Sequence, residues 1–480
     1  RMRLPHGAPG SGPGGRRILR VYLCVVHIVR EVRTDFFMAI SLPVAPGEIA
    51  EELDYERGRL IFAGADSNEV RRSILPGGVR VITERMPGTR GVSIGFWAGV
   101  GSRDEAPGML GSTHFLEHLL FKGTASRTAL DIAQAFDEVG GESNALTAKE
   151  HTCYYARVLD DDVPMAIDVL ADMVSNALLD PEHLEQERGV ILEELAMDQD
   201  DPTDVAFENF VEQLMGDNPL GRPIGGTPQE IIQVPREAVW EHYKQYYTPD
   251  RLVVSAAGSL EHSRIVNLVL DALTRSGWNL REGVAPAPRR VRTESGIVPF
   301  SELREVQKGF EQTNIVMGCP SIIAGDERRY AMSVLSSAFG AGMSSRLFQE
   351  IREKRGLAYS TFAFSGAYSD AGYFGMYAGC LPAKTEQVCE LLQYEFDKLV
   401  AAGITAEELS KVRGQLAGST VLGSEDSGSR MSRLGHAELE SGRFTSTDEL
   451  LQKIRAVTLE DVHGLARYLG QQQMITTIVR

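Results

Sequence analysis

The sequence predicts an α+β protein of two similar domains, each with the layered arrangement of an α/β sandwich. Three observations support this prediction. The chain has 480 residues, which is too long for one ordinary hydrophobic core. Strand patterns alternate with helical patterns in a similar order in both halves, as a duplicated unit would show. Residues 276–305 are rich in Gly, Pro, Arg and Ser and lack sustained periodicity, which indicates a linker between the halves.

Residues 1–70 are predicted to be a leader and N-terminal segment that is partly disordered. Residues 1–33 contain seven arginines and one acidic residue, Glu31. The apolar stretch 21–29 lies between Arg20 and Arg30, an arrangement typical of a targeting peptide. Two alternatives remain for residues 1–37: a disordered leader, or upstream sequence before a true start at Met38.

Residues 71–275 are predicted to form the first domain, with strands and helices in alternation. Ser112 or Thr113 is the predicted N-cap of the helix over 112–121, where apolar residues recur at helical spacing. Residues 144–155 look like a single strand because they are rich in β-branched and aromatic side chains. The other predicted elements are strands at 78–83, 91–97 and 252–258 and helices at 129–139, 163–177, 181–197 and 261–274.

Residues 306–480 are predicted to repeat this order as a second domain. The predicted strands lie at 314–318 and 373–378, and the chain stops inside a further strand at 476–480. The predicted helices are 327–339, 384–402, 405–422 and 458–469.

Composition excludes several classes of protein. No run of eighteen apolar residues predicts a membrane span. A formal net charge of −17 argues against nucleic acid as a partner and favours cationic ligands such as basic peptides. The five cysteines are scattered and form no CxxC pair, which argues against a disulfide scaffold and favours a reducing compartment.

The segment His114-Phe115-Leu116-Glu117-His118 places two imidazoles one helical turn apart on the same face. Two such imidazoles can share a zinc ion, and Glu117 projects close to the water that a catalytic zinc retains. This HxxEH order is the reverse of the better-known HExxH order. The alternative is a pair of surface histidines beside a solvated glutamate.

A third protein ligand decides between these interpretations. The best candidates lie in the acidic run 187–194, where Glu187 and Glu194 are two turns apart and share one helical face. Val190 and Ile191 are predicted to face the core. Without the histidine pair, these glutamates would be interpreted as an ordinary exposed face.

The chain resembles the pitrilysin superfamily, and most closely its branch of half-length chains similar to mitochondrial processing peptidase. The resemblance extends from about residue 71 to the C-terminus. Its motifs are the HFLEH helix with its continuation at 119–124, the segments 141–145 and 150–155, the ERxVIxxE run at 187–194, and the segments 342–348 and 352–359 in the second half.

The resemblance implies one Zn²⁺ per chain, bound by His114, His118 and Glu194. It implies that Glu117 is the general base and that Glu187 is an acidic residue that orients the site. Glu193 stands where relatives commonly have a basic residue, so the choice between Glu193 and Glu194 stays open, with Glu194 favoured.

The resemblance also implies where a substrate binds. Asn144 and Ala145 lie on a segment similar to the family's edge strand, which takes an extended peptide as an added strand. Arg352 and Tyr359 match the family's pair that holds the substrate backbone and the oxyanion from the opposite half. The alternative for this pair is a helix-surface charge and a half-buried strand residue.

Half-length relatives work as two-chain clamshells, so this chain is expected to be half of a clamshell. The partner is a second copy or a related chain, and Arg352 and Tyr359 would act on the site of that partner. Asp204 and Glu208 match positions where processing peptidases recognise a basic side chain, although an exposed acidic helix would look the same.

The expected function is zinc-dependent endopeptidase activity on extended, unfolded peptides. The main alternative is a non-catalytic or partner-dependent structural subunit of a heterodimeric processing peptidase. A third possibility is a zinc-binding scaffold that hydrolyses nothing. The expected location is the bacterial cytoplasm, with the mitochondrial matrix as the alternative because of the arginine-rich leader.

Overall fold

The structure is a computed structural model that describes residues 40–42, 60–61 and 68–480. The predicted leader over residues 1–37 lies outside these ranges. The strands are β1 (Ile40–Ser41), β2 (Leu60–Ile61), β3 (Glu69–Ile74), β4 (Arg80–Arg85), β5 (Gly91–Ala98), β6 (Glu142–Thr147), β7 (Thr152–Leu159), β8 (Leu252–Gly258), β9 (Leu303–Val306), β10 (Thr313–Pro320), β11 (Ala358–Ala367), β12 (Gly372–Cys380), β13 (Arg443–Phe444) and β14 (Ile475–Val479). The first helices are α1 (Ser112–Leu119), α2 (Ala129–Asp137), α3 (Val163–Asn176), α4 (Pro181–Asp200), α5 (Pro202–Met215), α6 (Pro228–Gln233), α7 (Arg236–Tyr246) and α8 (His262–Arg275). The later helices are α9 (Arg329–Gly340), α10 (Thr385–Ala402), α11 (Ala406–Gly423), α12 (Ser427–His436), α13 (Thr447–Ala456) and α14 (Leu459–Leu469).

Two mixed sheets organise the described residues. The first has the strand order β2-β3-β4-β8-β5-β7-β6, and the second has the order β9-β14-β10-β12-β11. Neighbouring strands are antiparallel except for β4 with β8 and β9 with β14, which are parallel. The last five strands of the first sheet therefore have the order of the second sheet, with the parallel pair in the same place. This match confirms the predicted duplication of an α+β unit.

One face of each sheet is covered by helices of its own half. In the first half, α3 and α8 pack on the sheet, and buried side chains such as Ile94, Phe96 and Leu170 form the core. In the second half, α9 and α10 pack on the sheet over a core that includes Leu335 and Phe339, and α14 packs on these two helices. Burial of these apolar surfaces is the main stabilising contribution to each half.

The opposite face of each sheet is covered by a helix from the other half. Helix α5 packs on β10 and β14, and helix α12 packs on β8 and β5. A glycine on each central strand makes room for the incoming helix. A Cβ atom added at Gly318 would lie 2.6 Å from Phe210 of α5, and one at Gly95 would lie 2.5 Å from Sδ of Met431 of α12. The two halves are therefore joined by crossed helix packing in addition to the linker.

Buried ion pairs also join the halves. Glu438 is fully buried and accepts hydrogen bonds from Arg72 at 2.7 Å and from Arg289 at 3.0 Å. Its pKa is lowered because these arginines outweigh the opposing effect of burial. Arg103 forms a two-pronged ion pair with Asp370 at 2.8 and 2.9 Å. A buried charge of this kind is tolerated only when it is paired.

The predicted strands and long helices are present with small shifts at their ends, but three predictions were wrong. Residues 144–155 form two antiparallel strands, β6 and β7, joined by the turn 148–151. This turn contains no Gly, Pro, Asn or Asp, and it is held by backbone hydrogen bonds from Ser102 to Ala148 and from Arg103 to Lys149, both 3.1 Å. Val190 is 44% exposed instead of facing the core, while Ile191 is buried. The predicted N-cap of α1, Ser112 or Thr113, was also wrong.

Three further structural observations concern the sequence predictions. Residues 303–305, at the end of the predicted linker, belong to strand β9. No helix among the described residues is both long enough and apolar enough to cross a bilayer. The described cysteines, Cys153, Cys319, Cys380 and Cys389, are free thiols.

Candidate metal centre

Helix α1 carries the HxxEH motif on the face that points away from the core. Phe115, Leu116 and Leu119 are buried in the first core, while His114 and His118 are only partly buried. The helix packs against α4, α7 and the hairpin of β6 and β7. The apolar residues of the motif therefore fix the helix, and its polar residues are left to form a site.

The N-terminus of α1 is capped by Glu105. The N-cap residue is Gly111, with φ of 87°, and not Ser112 or Thr113, which are buried inside the first turn. The Glu105 carboxylate accepts hydrogen bonds from the backbone N–H groups of Gly111 at 2.8 Å and Thr113 at 2.7 Å. Burial raises the pKa of Glu105 to about 7 despite these bonds. Sequence reasoning missed this residue because it lies outside the usual N-cap spacing.

Three potential ligand atoms converge beside α1. Nε2 of His114 lies 3.3 Å from Nε2 of His118. Oε2 of Glu194, on α4, lies 3.3 Å from Nε2 of His118 and 3.6 Å from Nε2 of His114. Glu193 is exposed, so the geometry selects Glu194 over its neighbour.

These separations fit a tetrahedral zinc site. With bonds of about 2.0–2.1 Å, tetrahedral zinc ligands lie about 3.3–3.4 Å apart. Two imidazole nitrogens and a carboxylate oxygen are also ligands that zinc accepts. Burial and the neighbouring His118 lower the pKa of His114, which keeps its imidazole neutral and its lone pair available. His114, His118 and Glu194 would hold the ion, with a fourth position open.

Glu187 supports the histidine pair from α4. Its Oε2 atom lies 3.0 Å from Nδ1 of His118, and its Oε1 atom accepts from Nζ of Lys122 at 2.7 Å. Burial opposes ionisation of Glu187, but the bonds from Lys122 and His118 lower its pKa overall. With a proton on Nδ1 of His118, the Nε2 lone pair of that residue points toward the other ligands.

Glu117 lies on the same face of α1, above a buried tyrosine pair. The hydroxyl oxygens of Tyr154 and Tyr247 are 3.0 Å apart. Burial raises the pKa of both phenols, and the charge of Glu117 raises them further. The Glu117 charge also acts on His114, where it opposes the lowering of the pKa. Glu117 is half-buried, one residue before His118 in the helix that carries both imidazoles.

Arg188 fastens the ligand-bearing helix α4 to its surroundings. Its guanidinium lies 5.3 Å from the ring centroid of Phe115 and donates to the backbone carbonyls of Ile231 and Val234. Because Phe115 lies between His114 and Glu117 in sequence, this contact connects α4 directly to the HxxEH helix.

Asn144 and Ala145 lie on β6, which is the edge strand of the first sheet. Leu146 beside them is 51% exposed. Helix α1 packs against this strand, so the edge runs next to the ligand cluster.

Arg352 and Tyr359 are in contact with each other in the second half. Arg352 donates from Nη1 to the carbonyl of Tyr359 at 2.9 Å, and its guanidinium lies 4.4 Å from the ring centroid of Tyr359. Tyr359 is 76% exposed, not half-buried, and lies on the edge strand β11. In the duplicated sheet order, β11 takes the position that β6 has in the first half.

Asp204 and Glu208 lie one turn apart on α5. Burial and the charges of Asp201 and Asp198 raise the pKa of Asp204. Burial and Asp198 also raise the pKa of Glu208, against the opposing charge of Lys149. The charge of Asp198, on α4, also acts on His114, so one acidic residue influences both this pair and the ligand cluster.

Among the described residues, potential metal ligands lie on the helix that packs beside the edge strand of the first sheet and not on its counterpart in the second half. Helix α9 takes the place of α1 in the second half, and its sequence RYAMSVLSSAFG contains no His, Cys, Asp or Glu. A duplicated α+β chain with one HxxEH helix and a distal glutamate has the features of the inverzincin class of zinc peptidases.

Comparison with known proteins identifies the family. Residues 80–228 match the family described as insulinase (peptidase family M16), and residues 233–416 match the family described as peptidase M16 inactive domain. The chain belongs to peptidase family M16, within the pitrilysin superfamily. The half that carries the HxxEH helix is the one that matches the first description.

Bacterial relatives cover most of the chain. An uncharacterized zinc protease of Streptomyces coelicolor is 47% identical over 411 residues, which is 85% of this chain and 89% of the relative. One from Mycobacterium tuberculosis is 46% identical over 400 residues, 83% of this chain and 90% of the relative. One from Bacillus subtilis is 38% identical over 410 residues, 85% of this chain and 98% of the relative.

Two solved structures share the fold. The peptidase M16 inactive domain from Pseudomonas fluorescens has a TM-score of 0.78 at 19% identity, covering 85% of this chain and 97% of that chain. A protease from Helicobacter pylori has a TM-score of 0.76 at 22% identity, covering 86% of this chain and 99% of that chain. The fold of this chain is therefore that of half-length M16 proteins.

Proposed function

We propose that this chain is a zinc-dependent endopeptidase that cleaves extended, unfolded peptides. The observation that supports this most strongly is the convergence of His114, His118 and Glu194, with atoms 3.3–3.6 Å apart, beside the Glu117 carboxylate. The relatives are named as zinc proteases, which supports the same metal and the same reaction class.

The chain's own residues supply the proton transfers. Zinc, when bound, polarises a carbonyl and lowers the pKa of bound water. Glu117 accepts a proton from the attacking water and later passes it to the leaving amine. Glu187 keeps His118 in the tautomer that leaves Nε2 free, through the 3.0 Å contact with Nδ1. Lys122 holds Glu187 in its ionised form.

The substrate is proposed to bind as an added strand on β6. An edge strand offers free backbone donors and acceptors, which pair with any extended peptide and exclude folded protein. Asn144 and Ala145 lie on this edge next to helix α1. The acidic surface of Asp204 and Glu208 beside the cluster supports a preference for a basic side chain near the cleaved bond.

Arg352 and Tyr359 are proposed to serve the site of a partner subunit. Tyr359 lies on β11, the edge strand of the second sheet that corresponds to β6, and Arg352 lies in the π-helical turn Phe348–Glu353 that precedes it. Both side chains are at least partly exposed. A Tyr hydroxyl can donate to a developing oxyanion, and an Arg can fix a substrate carbonyl. A homodimer would then contain two composite sites, each closed as a clamshell. A heterodimer with a related chain is the alternative arrangement.

Purified full-length protein with a quenched fluorescent, arginine-containing unfolded peptide tests this proposal. The wild type is expected to cleave the peptide, and Glu117→Gln is expected to keep its zinc while losing activity by about 10²–10⁴-fold. Metal-stripped protein is expected to regain activity on addition of zinc. Glu193→Gln is the matched control, because it removes the exposed neighbouring glutamate and should leave activity unchanged.

A negative result has a defined meaning. A wild-type protein that binds zinc but cleaves no peptide in a diverse panel would overturn the proposal of a self-sufficient endopeptidase. It would support the alternative of a non-catalytic or partner-dependent subunit of a heterodimeric processing peptidase. The bacterial relatives support a bacterial cytoplasmic protein over a mitochondrial matrix protein.

A further inference from the structure

A second cluster of two histidines and one glutamate lies at the junction of the two halves. Nδ1 of His151 and Nδ1 of His436 each lie 3.0 Å from Oε1 of Glu440. The two imidazole rings are 4.7 Å apart between centroids. One potential ligand atom from each residue lies within 4.8 Å of the other two. The cluster shares no residue with the candidate metal centre on α1.

The fold holds these side chains from both halves. His151 lies at the end of the tight turn between β6 and β7, which is fixed by a 2.8 Å hydrogen bond from Ala148 to its carbonyl. His436 is the last residue of α12, and Glu440 lies in the π-helical turn Ala437–Ser441 that continues it. The ring of Trp97 lies 5.5 Å from that of His151 and 5.2 Å from that of His436.

Hydrogen bonding satisfies only part of this cluster, because Nδ1 of His436 is hydrogen-bonded to Oε1 of Glu440 at 3.0 Å but Nδ1 of His151 is not. His151 is 7% exposed, and its buried Nδ1 atom forms no hydrogen bond of acceptable geometry within the described residues, although Oε1 of Glu440 is close. A buried polar atom without a partner is unfavourable and uncommon. Two nitrogen atoms approach one carboxylate oxygen, and a cation between these atoms would satisfy them together.

We propose that His151, His436 and Glu440 bind a divalent transition-metal ion such as Zn²⁺ and thereby connect the two halves of the chain. Imidazole nitrogen with one carboxylate oxygen is a donor set that suits zinc and its neighbours and does not suit Mg²⁺ or Ca²⁺. The side chain of His436 is 44% exposed, so its ring can turn and shorten the widest of the three separations between ligand atoms.

The surroundings provide access and a fourth ligand. Glu440 is one wall of a cavity of about 130 Å³ whose other walls include Glu150, Ser369 and five arginines, among them Arg290 and Arg292. A cavity of this volume has room for a water molecule that would complete a tetrahedral site. The positive charges of these arginines oppose binding of a cation, so we expect this to be the weaker of the two sites.

The inference does not depend on peptidase activity, and metal binding by the full-length protein tests it. Wild type is expected to bind two zinc ions per chain after dialysis against about 10 µM zinc, a concentration that favours moderately tight sites. The double variant His114→Ala/His118→Ala is expected to keep one. Addition of His436→Asn to this double variant is expected to remove the remaining ion, lowering the affinity by more than about 10-fold.

Two controls keep the test decisive. His463→Asn in the same double variant removes another partly buried histidine, which contacts the carbonyl of Val400 at 3.2 Å, and should leave one ion bound. Glu440→Gln should act as His436→Asn does, while circular dichroism verifies that each variant is folded. Zinc should raise Tm of the double variant but not of the variants that lack His436 or Glu440.

The proposal is overturned if the folded double variant binds no zinc, because the cluster is then an ion-pair network. It is equally overturned if the remaining ion survives both His436→Asn and Glu440→Gln. Either outcome leaves the site on α1 untouched, since that site is measured by the difference between wild type and the double variant.

Discussion

Nδ1 of His118 lies 3.0 Å from Oε2 of Glu187, and this contact connects the two helices that supply the candidate metal ligands. His118 and Glu187 therefore connect α1 to α4 a second time, in addition to the contacts of Glu194 with the two histidines. The link fixes the orientation of one imidazole before any ion arrives. Glu187 is itself held by Lys122 at 2.7 Å, so the arrangement is preorganised.

The first prediction concerns this link. Glu187→Gln is expected to lower zinc affinity by about 10–100-fold, because the amide no longer holds the proton on Nδ1 of His118 with a full negative charge. Competition with a chromophoric chelator measures the affinity. Glu193→Gln, an exposed change on the same helix, is the control. Equal affinities for the two variants would show that Glu187 has no orienting role.

The second prediction concerns the cap of the HxxEH helix. Glu105→Gln is expected to lower the free energy of unfolding by about 1–3 kcal/mol, since an amide offers one acceptor where the carboxylate accepts from both Gly111 and Thr113. Urea denaturation measures this change. Zinc affinity should fall in the same variant because α1 carries two ligands. Glu241→Gln, an exposed change on α7, should have no effect on either quantity.

The third prediction concerns the junction of the two halves. Glu438→Ala is expected to lower the free energy of unfolding by about 3–5 kcal/mol, because Arg72, Arg80 and Arg289 would be left buried beside one another without the opposite charge. Thermal or chemical unfolding measures the loss. The exposed Glu425→Ala is the comparison. A loss near zero would mean that the arginines find other partners.

The fourth prediction separates composite sites from self-contained ones. Glu117→Gln and Tyr359→Phe chains are each expected to be inactive as homodimers. When the two chains are mixed and allowed to exchange, half of the dimers contain one site with both native residues. Activity is then expected to recover to about a quarter of wild type if sites are shared across a two-fold dimer. Absence of any recovery, with exchange verified, would place Tyr359 and Glu117 in the same chain's site.

The fifth prediction concerns substrate preference. The double variant Asp204→Asn/Glu208→Gln is expected to lose about 10-fold in kcat/KM for a peptide with arginine near the cleaved bond, since it loses the charges that would pair with the guanidinium. An isosteric neutral peptide should be cleaved as before. Asp217→Asn, an exposed change just beyond α5, is the control. Parallel loss on both peptides would contradict a role in specificity.

Local sequence patterns were sufficient for much of the fold and for most of the candidate site. Residues four apart on a helix share one face whatever surrounds them, so His114 and His118 could be paired from spacing alone. The same reasoning paired Glu187 with Glu194 across two turns of α4. Many of the strands and helices were readable because their periodicity is set by the backbone, but β9, β11, α7 and α12 were not among the predicted elements.

Tertiary packing decided the remainder. Glu194 was separated from Glu193 by the direction in which α4 packs on α1, which no local pattern contains. The turn between β6 and β7 has no turn-forming sequence and is imposed by contacts with residues 102 and 103. Glu105 reaches the N-terminus of α1 only because the preceding chain folds back over it.

The sequence by itself determined the HxxEH helix, the distal acidic helix and the duplicated order of elements, because each depends on interactions between residues close in the chain. The tertiary structure alone decided that α5 and α12 cross to the opposite sheets and that His151 meets His436 and Glu440. These contacts join residues far apart in sequence. These contacts form only when the apolar face of each sheet is covered by a helix from the other half, and no local sequence pattern encodes that arrangement.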